Sequence, residues 1–320
     1  MKVVLALLFS ALAMTTSFAY GNEILEFQRT DYNRFDPTIN RDVDFCSYCK
    51  SATSRGSRYC CRGTLMQWSY GTSFSGGPDL NEPLVTDRPD FTEASSTVGL
   101  GVAQLEFGYT YTYDTSGGQS TRTQSVGEPL LRVGMLANWL EFRIALFPLV
   151  ERTRTASISN STAGTGDLYL GLKIGLTPQE GVLPEMALIP QMNVPTGSRA
   201  FTSDAVEPGV NWLYSWEIND FLTTGGSTQG NRRIDDSGDA YLEVAQSWTA
   251  SYSLTDKLGA YTEWFVLIPN GADTAHNQHF FNGGFTFLIN NDVQFDIRAG
   301  WGLNEAAADF FAGTGLSVRR

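Results

Sequence analysis

The chain has 320 residues, of which 42% are hydrophobic, 12% aromatic and 18% charged, with 32 glycines. Charge below the roughly 25% of ordinary soluble domains, with glycine above the usual roughly 7%, points to an all-β chain. The formal net charge of −12 argues against a nucleic-acid partner, whose phosphates call for a basic surface.

Residues 1–19 read as a signal peptide. Met1-Lys2 is a short basic start, Val3 to Met14 is almost wholly apolar, and Ser17-Phe18-Ala19 supplies the small residues of a cleavage site. The run is too short for a membrane helix, and there is no later stretch of about 18 apolar residues. The mature chain is expected to begin near Tyr20, as an exported protein.

Residues 20–83 read as an irregular periplasmic segment carrying Cys46, Cys49, Cys60 and Cys61. An even number of cysteines in an exported chain makes all four candidates for two disulfides, of undetermined connectivity. A zinc knot is the second reading of the C-x-x-C spacing. Ser75-Gly-Gly-Pro78 lacks the Lys-Ser/Thr of a phosphate loop.

Residues 84–100 form an entry segment. "LVTDRPDFTEAS" packs Asp87, Arg88, Asp90 and Glu93 around Pro89. Pro89 fixes φ and removes a ladder donor, which suits a bend and not a strand interior. A metal cage is the weaker reading, since no histidine or fourth ligand is near in sequence. The preferred one is a latch or partial plug at the periplasmic mouth of the region from 101 onward. Arg88 then pairs with carboxylates, while Asp87, Asp90 and Glu93 meet cations such as Arg143 and Arg298.

From 101 to 320 the pattern is alternation. Leu140, Phe142, Ile144 and Leu146 oppose Glu141, Arg143 and Ala145. Leu168, Leu170, Leu172, Ile174 and Leu176 oppose Asp167, Gly171, Lys173 and Gly175. Val210, Trp212, Tyr214 and Trp216 oppose Asn211, Ser215 and Glu217, and Val293, Phe295, Ile297 and Trp301 oppose Gln294, Asp296 and Arg298. Residues two apart share a strand face. The strands run about 10–12 residues, against the roughly 5–6 of soluble sheets and the roughly 9–11 that cross a bilayer. Polar links at 114–122, 151–163, 195–206, 229–239 and 269–279 alternate with short ones at Ala137, 177–183, 219–220, 255–256 and 290–291. These features predict an all-β fold, an antiparallel transmembrane β-barrel of about twelve strands with short periplasmic turns and longer external loops. Trp and Tyr near strand ends suit aromatic girdles.

The polar face then lines a lumen with Glu106, Arg132, Glu141, Arg143, Asp167, Lys173, Gln191, Asn193, Glu217, Glu243, Glu263, Asp296 and Arg298. It reads either as a path for small solutes or as a salt-bridge network filling the barrel. Catalytic chemistry is not evident. His276 and His279 fall in a polar external link where solvation is the better reading than metal, and the His-x-Ser-Asn pattern of outer-membrane phospholipases does not occur. No enzyme activity, cofactor or resident metal is expected.

"TDRPDFTE" at 86–93 and then "QLEFGYTY" at 104–111 resemble the opening of the outer-membrane transporter family named for the meta-pathway of phenol degradation. "SYSLTDKLGAYTEWF" (251–265), "NGGFTFLINNDVQFDIRAGWGLN" (282–304) and "DFFAGTGLSVRR" (309–320) are similar to its later elements, so the resemblance covers about 84–320. It implies an outer-membrane barrel that passes small, often aromatic or hydrophobic compounds, with outer-membrane lipid and the barrel-assembly machinery as partners. The ending Val318-Arg319-Arg320 departs from the terminal aromatic that assembly machinery usually reads. The alternatives are a structural barrel with a filled lumen and, less favoured, a secreted soluble β-sandwich.

Overall fold

The computed structural model describes residues 80–154, 158–235 and 237–320. The expected signal peptide and the cysteine-bearing stretch, including Cys46, Cys49, Cys60 and Cys61, lie outside the described residues.

The described chain forms fourteen strands: β1 (Ala103–Ser116), β2 (Gln119–Gly134), β3 (Leu140–Ala145), β4 (Pro148–Arg154), β5 (Ser159–Thr165), β6 (Leu168–Thr177), β7 (Glu185–Val194), β8 (Glu207–Glu217), β9 (Leu222–Ile234), β10 (Ala240–Ser253), β11 (Leu258–Asn270), β12 (Gln278–Asn290), β13 (Val293–Gly302) and β14 (Phe310–Arg319). β3 and β4 pair in succession with β2, and β6 and β5 pair with β3 and β4. Each pair is therefore one span interrupted by a bulge, and the barrel has twelve antiparallel spans. β1 bonds to both β2 and β14, which closes the sheet on itself. Closure leaves no unpaired edge and rules out the sandwich.

Several links are shorter than the sequence suggests. The ladder runs past 114–122 to Ser116↔Gln119, and the turn is Gly117-Gly118 with φ of 56° and 79°. Positive φ at both central residues is the two-residue hairpin geometry that glycine makes easy. β4 and β5 likewise stay paired out to Arg154↔Ser159. The residues there are polar because the hairpins project beyond the lipid, so polarity did not mark loop. At the other end the link at Ala137 widens to a turn over 135–139.

The packing is inside-out relative to a soluble protein. Val210, Trp212, Leu242, Trp248, Phe285, Phe287, Phe295, Ile297 and Trp301 are 41–51% exposed, as an outer belt. Glu106, Glu141, Arg143, Lys173 and Asp296 are 0% exposed. In lipid the apolar face needs no partner, whereas charges must turn inward. Trp212, Tyr214, Trp216 and Trp248 touch one another on the outer face, and the Trp216 indole N–H donates to Val182 O of a short turn at 2.9 Å. Trp301 and Phe310 pair near the opposite rim. Both positions suit interfacial rings.

Candidate functional site

Residues 84–102 enter the barrel from the end carrying Ala103 and Arg319, the periplasmic end of such a fold. Two backbone anchors fix the segment: Leu84 N–H donates to Asn291 O (2.7 Å) and Gly101 N–H to Gly134 O (3.0 Å). The Arg319 guanidinium, at the end of β14, donates to Glu82 O (2.8 Å) and Leu80 O (3.1 Å) while pairing with Asp292 at 2.7 Å. Between these anchors the chain crosses the lumen and touches the wall nearly all the way round.

The wall meets the segment's backbone with side chains. Glu106 of β1 accepts from the N–H groups of Asp87 and Arg88, each at 3.1 Å. Glu263 of β11 accepts from Phe91 N–H (2.8 Å) and Thr92 N–H (2.7 Å), and from the Thr92 hydroxyl. Glu141 of β3 accepts from Val98 N–H at 2.9 Å. Arg298 of β13 donates to Pro89 O at 2.7 Å. A segment without secondary structure has unpaired amides, and buried amides must be satisfied. Here lumen carboxylates do so.

The segment's own charges complete the lumen's network. Asp87 lies against three cations: Arg132 of β2 (3.2 Å), Arg143 of β3, and Lys173 of β6 (2.9 Å). Burial alone would raise the Asp87 carboxyl, but these cations outweigh it and hold it far below the usual carboxylate range. Arg143 also binds Glu93 at 2.6 Å, and burial leaves the Glu93 carboxyl raised despite it. Arg132 binds Glu106 (3.0 Å) and Glu141 (2.8 Å). The wall thus offers Arg132, Arg143 and Lys173 against Glu106 and Glu141, and the segment brings two further carboxylates. On the opposite side Arg88 pairs with Glu128 at 2.8 Å and Asp296 at 3.4 Å. It sits in a slot formed by Gly108 and Gly315, which face each other across β1 and β14. A Cβ on either glycine would collide with its guanidinium.

Asp90 does not meet Arg298, contrary to expectation. Its charged neighbours are Glu263 and Asp87, with a hydrogen bond from Thr249 of β10, and Tyr261 lies near. Burial first, and the Glu263 charge second, push the Asp90 carboxyl well above its ordinary range. Arg298 is occupied by a carbonyl, by Thr110 Oγ1 (3.1 Å) and by the face of Phe311 (5.6 Å).

Two residues assigned to the lumen by alternation lie near its ends. Asp167 sits in the bulge between β5 and β6 and accepts from Gly197 N–H and Ser203 N–H at 2.9 and 3.0 Å, pinning the 195–206 link. Glu217 ends β8, its N–H bonded to Gln179. Glu243 pairs with Arg233 at 3.1 Å, and Arg233 with Glu207 at 3.0 Å, toward the outer rim. Gln191 takes the Tyr169 hydroxyl (3.1 Å) and donates to Asn231, and Asn193 donates to Glu207. Among the described residues no His/Cys/Asp/Glu group is arranged to hold a metal ion. His279 is the second residue of β12, its ring tilted beside Trp264 with centroids 6.0 Å apart.

Sequence reasoning missed Glu128, Glu185, Arg319 and the Gly108–Gly315 slot. Glu185 of β7 takes the Ser95 hydroxyl at 2.7 Å. Glu128 has φ of 37° beside Gly127 at 88°, so the β2 bulge turns its carboxylate to Arg88. The Gly-Glu-Pro run at 127–129 inside a strand was the available signal.

The segment lies between two cavities. One of about 260 Å³, toward the periplasmic end, is lined by Pro89, Asp90, Thr92, Thr249, Lys257 and Tyr261 among others. The other, about 480 Å³, lies in the outer half beside Thr110, Ser125, Glu128, Phe147, Phe201 and Arg298. Where the segment meets β11, β12 and β14 stands an aromatic cluster, which the outer cavity reaches through Arg298: Phe91 stacks on Phe265 (4.4 Å, 5°), Phe265 on Phe280 (4.7 Å, 19°), and Phe311 packs edge-on to Phe280. Ala307 and Ala308 of the link after β13 close over it.

Residues 86–319 match the family described as "Putative MetA-pathway of phenol degradation". No curated protein matches the chain. Among solved structures, an outer-membrane channel from Pseudomonas putida F1 superposes with a TM-score of 0.57 at 12% identity, covering 73% of this chain and 99% of that one. The NanC porin gives 0.40 at 12% identity (68% and 98% covered). The translocator domain of the autotransporter NalP from Neisseria meningitidis gives 0.45 at 13% identity (69% and 88% covered). The first of these carries the fold assignment, that of outer-membrane barrels.

Proposed function

Because the chain belongs to the phenol-degradation MetA-pathway family over residues 86–319, we propose that it is an outer-membrane channel for small, aromatic or otherwise hydrophobic compounds, without catalysis. The supporting observation is the division of a polar lumen into two cavities by one docked segment, residues 84–102. The outer cavity combines hydroxyls and charges with Phe147, Leu149 and Phe201, which suits solutes with an apolar body and a polar group. Passage requires the segment to shift, since its contacts span the lumen. Asp87, Arg88 and Glu93 act as its latch through their ion pairs with the wall.

The apolar belt faces outer-membrane lipid, and insertion depends on the barrel-assembly machinery. A barrel whose lumen is permanently filled is the second reading, favoured by the completeness of the ion pairing around Asp87. Planar-bilayer recording tests the choice. We expect small, intermittent conductance from the purified barrel and larger, sustained conductance from Arg88→Ala. Silence of both, together with no solute entry into proteoliposomes, overturns the channel reading and leaves the filled barrel.

A further inference from the structure

The aromatic cluster at the plug is a site with an occupant supplied by the chain itself. Phe91 is the only one of its stacked rings that comes from the segment. It lies parallel to Phe265 at 4.4 Å, and Phe265 continues onto Phe280 at 4.7 Å. The other contacts of the segment there are polar: Phe91 N–H, Thr92 N–H and the Thr92 hydroxyl on Glu263, the Thr92 hydroxyl also on Ser247, and Pro89 O on Arg298. Arg298 also borders the outer cavity and covers the Phe311 ring, so cavity, cluster and plug meet at one guanidinium. Face-to-face rings at this spacing are a generic motif that any planar aromatic of similar size reproduces, whereas a saturated ring does not. We propose that Phe91 is a built-in stand-in for solute, and that planar aromatic molecules arriving from the outer cavity compete for the Phe265–Phe280 face, displace Phe91 and open the 89–92 bend. The anchors at Asp87, Glu93 and Val98 stay in place, so opening is local.

The idea rests on the channel reading, and the two fail differently. The probe pair is benzyl alcohol and cyclohexylmethanol, matched in size and hydroxyl group. In bilayers, benzyl alcohol raises wild-type open probability roughly two- to tenfold, the range an aromatic pair is worth, and cyclohexylmethanol does not. Phe91→Ala and the volume-keeping Phe91→Leu are open more often at rest and respond to neither; heat-modifiable mobility verifies that both fold. Amide hydrogen exchange over 88–94 in detergent reads displacement without any flux, and speeds up in wild type only with the aromatic alcohol. Equal responses to both alcohols, or an aromatic response that survives in Phe91→Ala and Phe91→Leu, overturn the proposal. Ring-specific exchange in a protein that never conducts upholds the site and overturns the channel reading instead.

Discussion

Single residues decide whether the segment stays docked. Removing Asp87 leaves Arg132, Arg143 and Lys173 facing only Glu106, Glu141 and Glu93. Truncating one partner of a buried ion network costs about 3–5 kcal/mol, so Asp87→Ala should undock the segment, read as protease cleavage within 84–100 while the barrel resists. Asp87 and Asp90 respond oppositely to pH. A depressed carboxyl contributes stability above its unfolded value, near 3.9, and loses it only as pH falls through the lower folded value; Asp87 therefore holds through mild acid. The Asp90 carboxyl is raised, so the folded state binds its proton more tightly. Its burial opposes docking above the raised value and ceases to do so as pH falls toward the ordinary carboxylate range. Docking should thus tighten as pH falls through the raised Asp90 value toward the ordinary carboxylate range, seen as falling conductance, and Asp90→Asn should remove that component of the profile. Charges such as Arg143 and Asp296 were legible in the sequence because alternation assigns them a face. Their partners were not: Asp90 faces a carboxylate, and Arg298 a carbonyl, because the segment's bend fixes what each meets.

At the level of elements, two strand positions shape the latch without touching it through side chains. Gly108 of β1 and Gly315 of β14 stand opposite each other and leave room for the Arg88 guanidinium. Gly315→Ala should displace Arg88 from Glu128 and Asp296 and reproduce the conductance of Arg88→Ala, while heat-modifiable mobility stays unchanged. Equal wild-type conductance in the variant would overturn the slot. The strands themselves were readable, since period-2 alternation survives wherever lipid and lumen lie on opposite sides. Their ends were not. Asp114 to Arg122 and Glu151 to Arg154 are polar on both faces because both faces are wet outside the bilayer, and a wet ladder carries no period. The break at Leu146–Phe147 was hidden for the opposite reason, since two apolar residues in sequence fit a strand entering lipid as well as a bulge.

The whole molecule is held by an arrangement that water would undo: ions within, hydrocarbon without. A charge placed on the outer belt should therefore be costly. Ile297, 44% exposed at mid-strand in β13, should lose about 2–4 kcal/mol on substitution by arginine, measurable as a shift in urea-dependent folding into vesicles. The closed ladder from β1 to β14 has a further consequence, in the order of events. Arg88 bonds to Glu128, 40 residues on, and to Asp296, 208 residues on, and Arg298 and Thr314 add their contacts only from β13 and β14. Contacts across such sequence distances form late. The Arg88–Pro89 bend of the segment that precedes the first strand must wait until the last two strands exist to receive it. Seating that bend is then a report that the barrel is complete, and a chain stalled before β13 has a plug with its tip unheld.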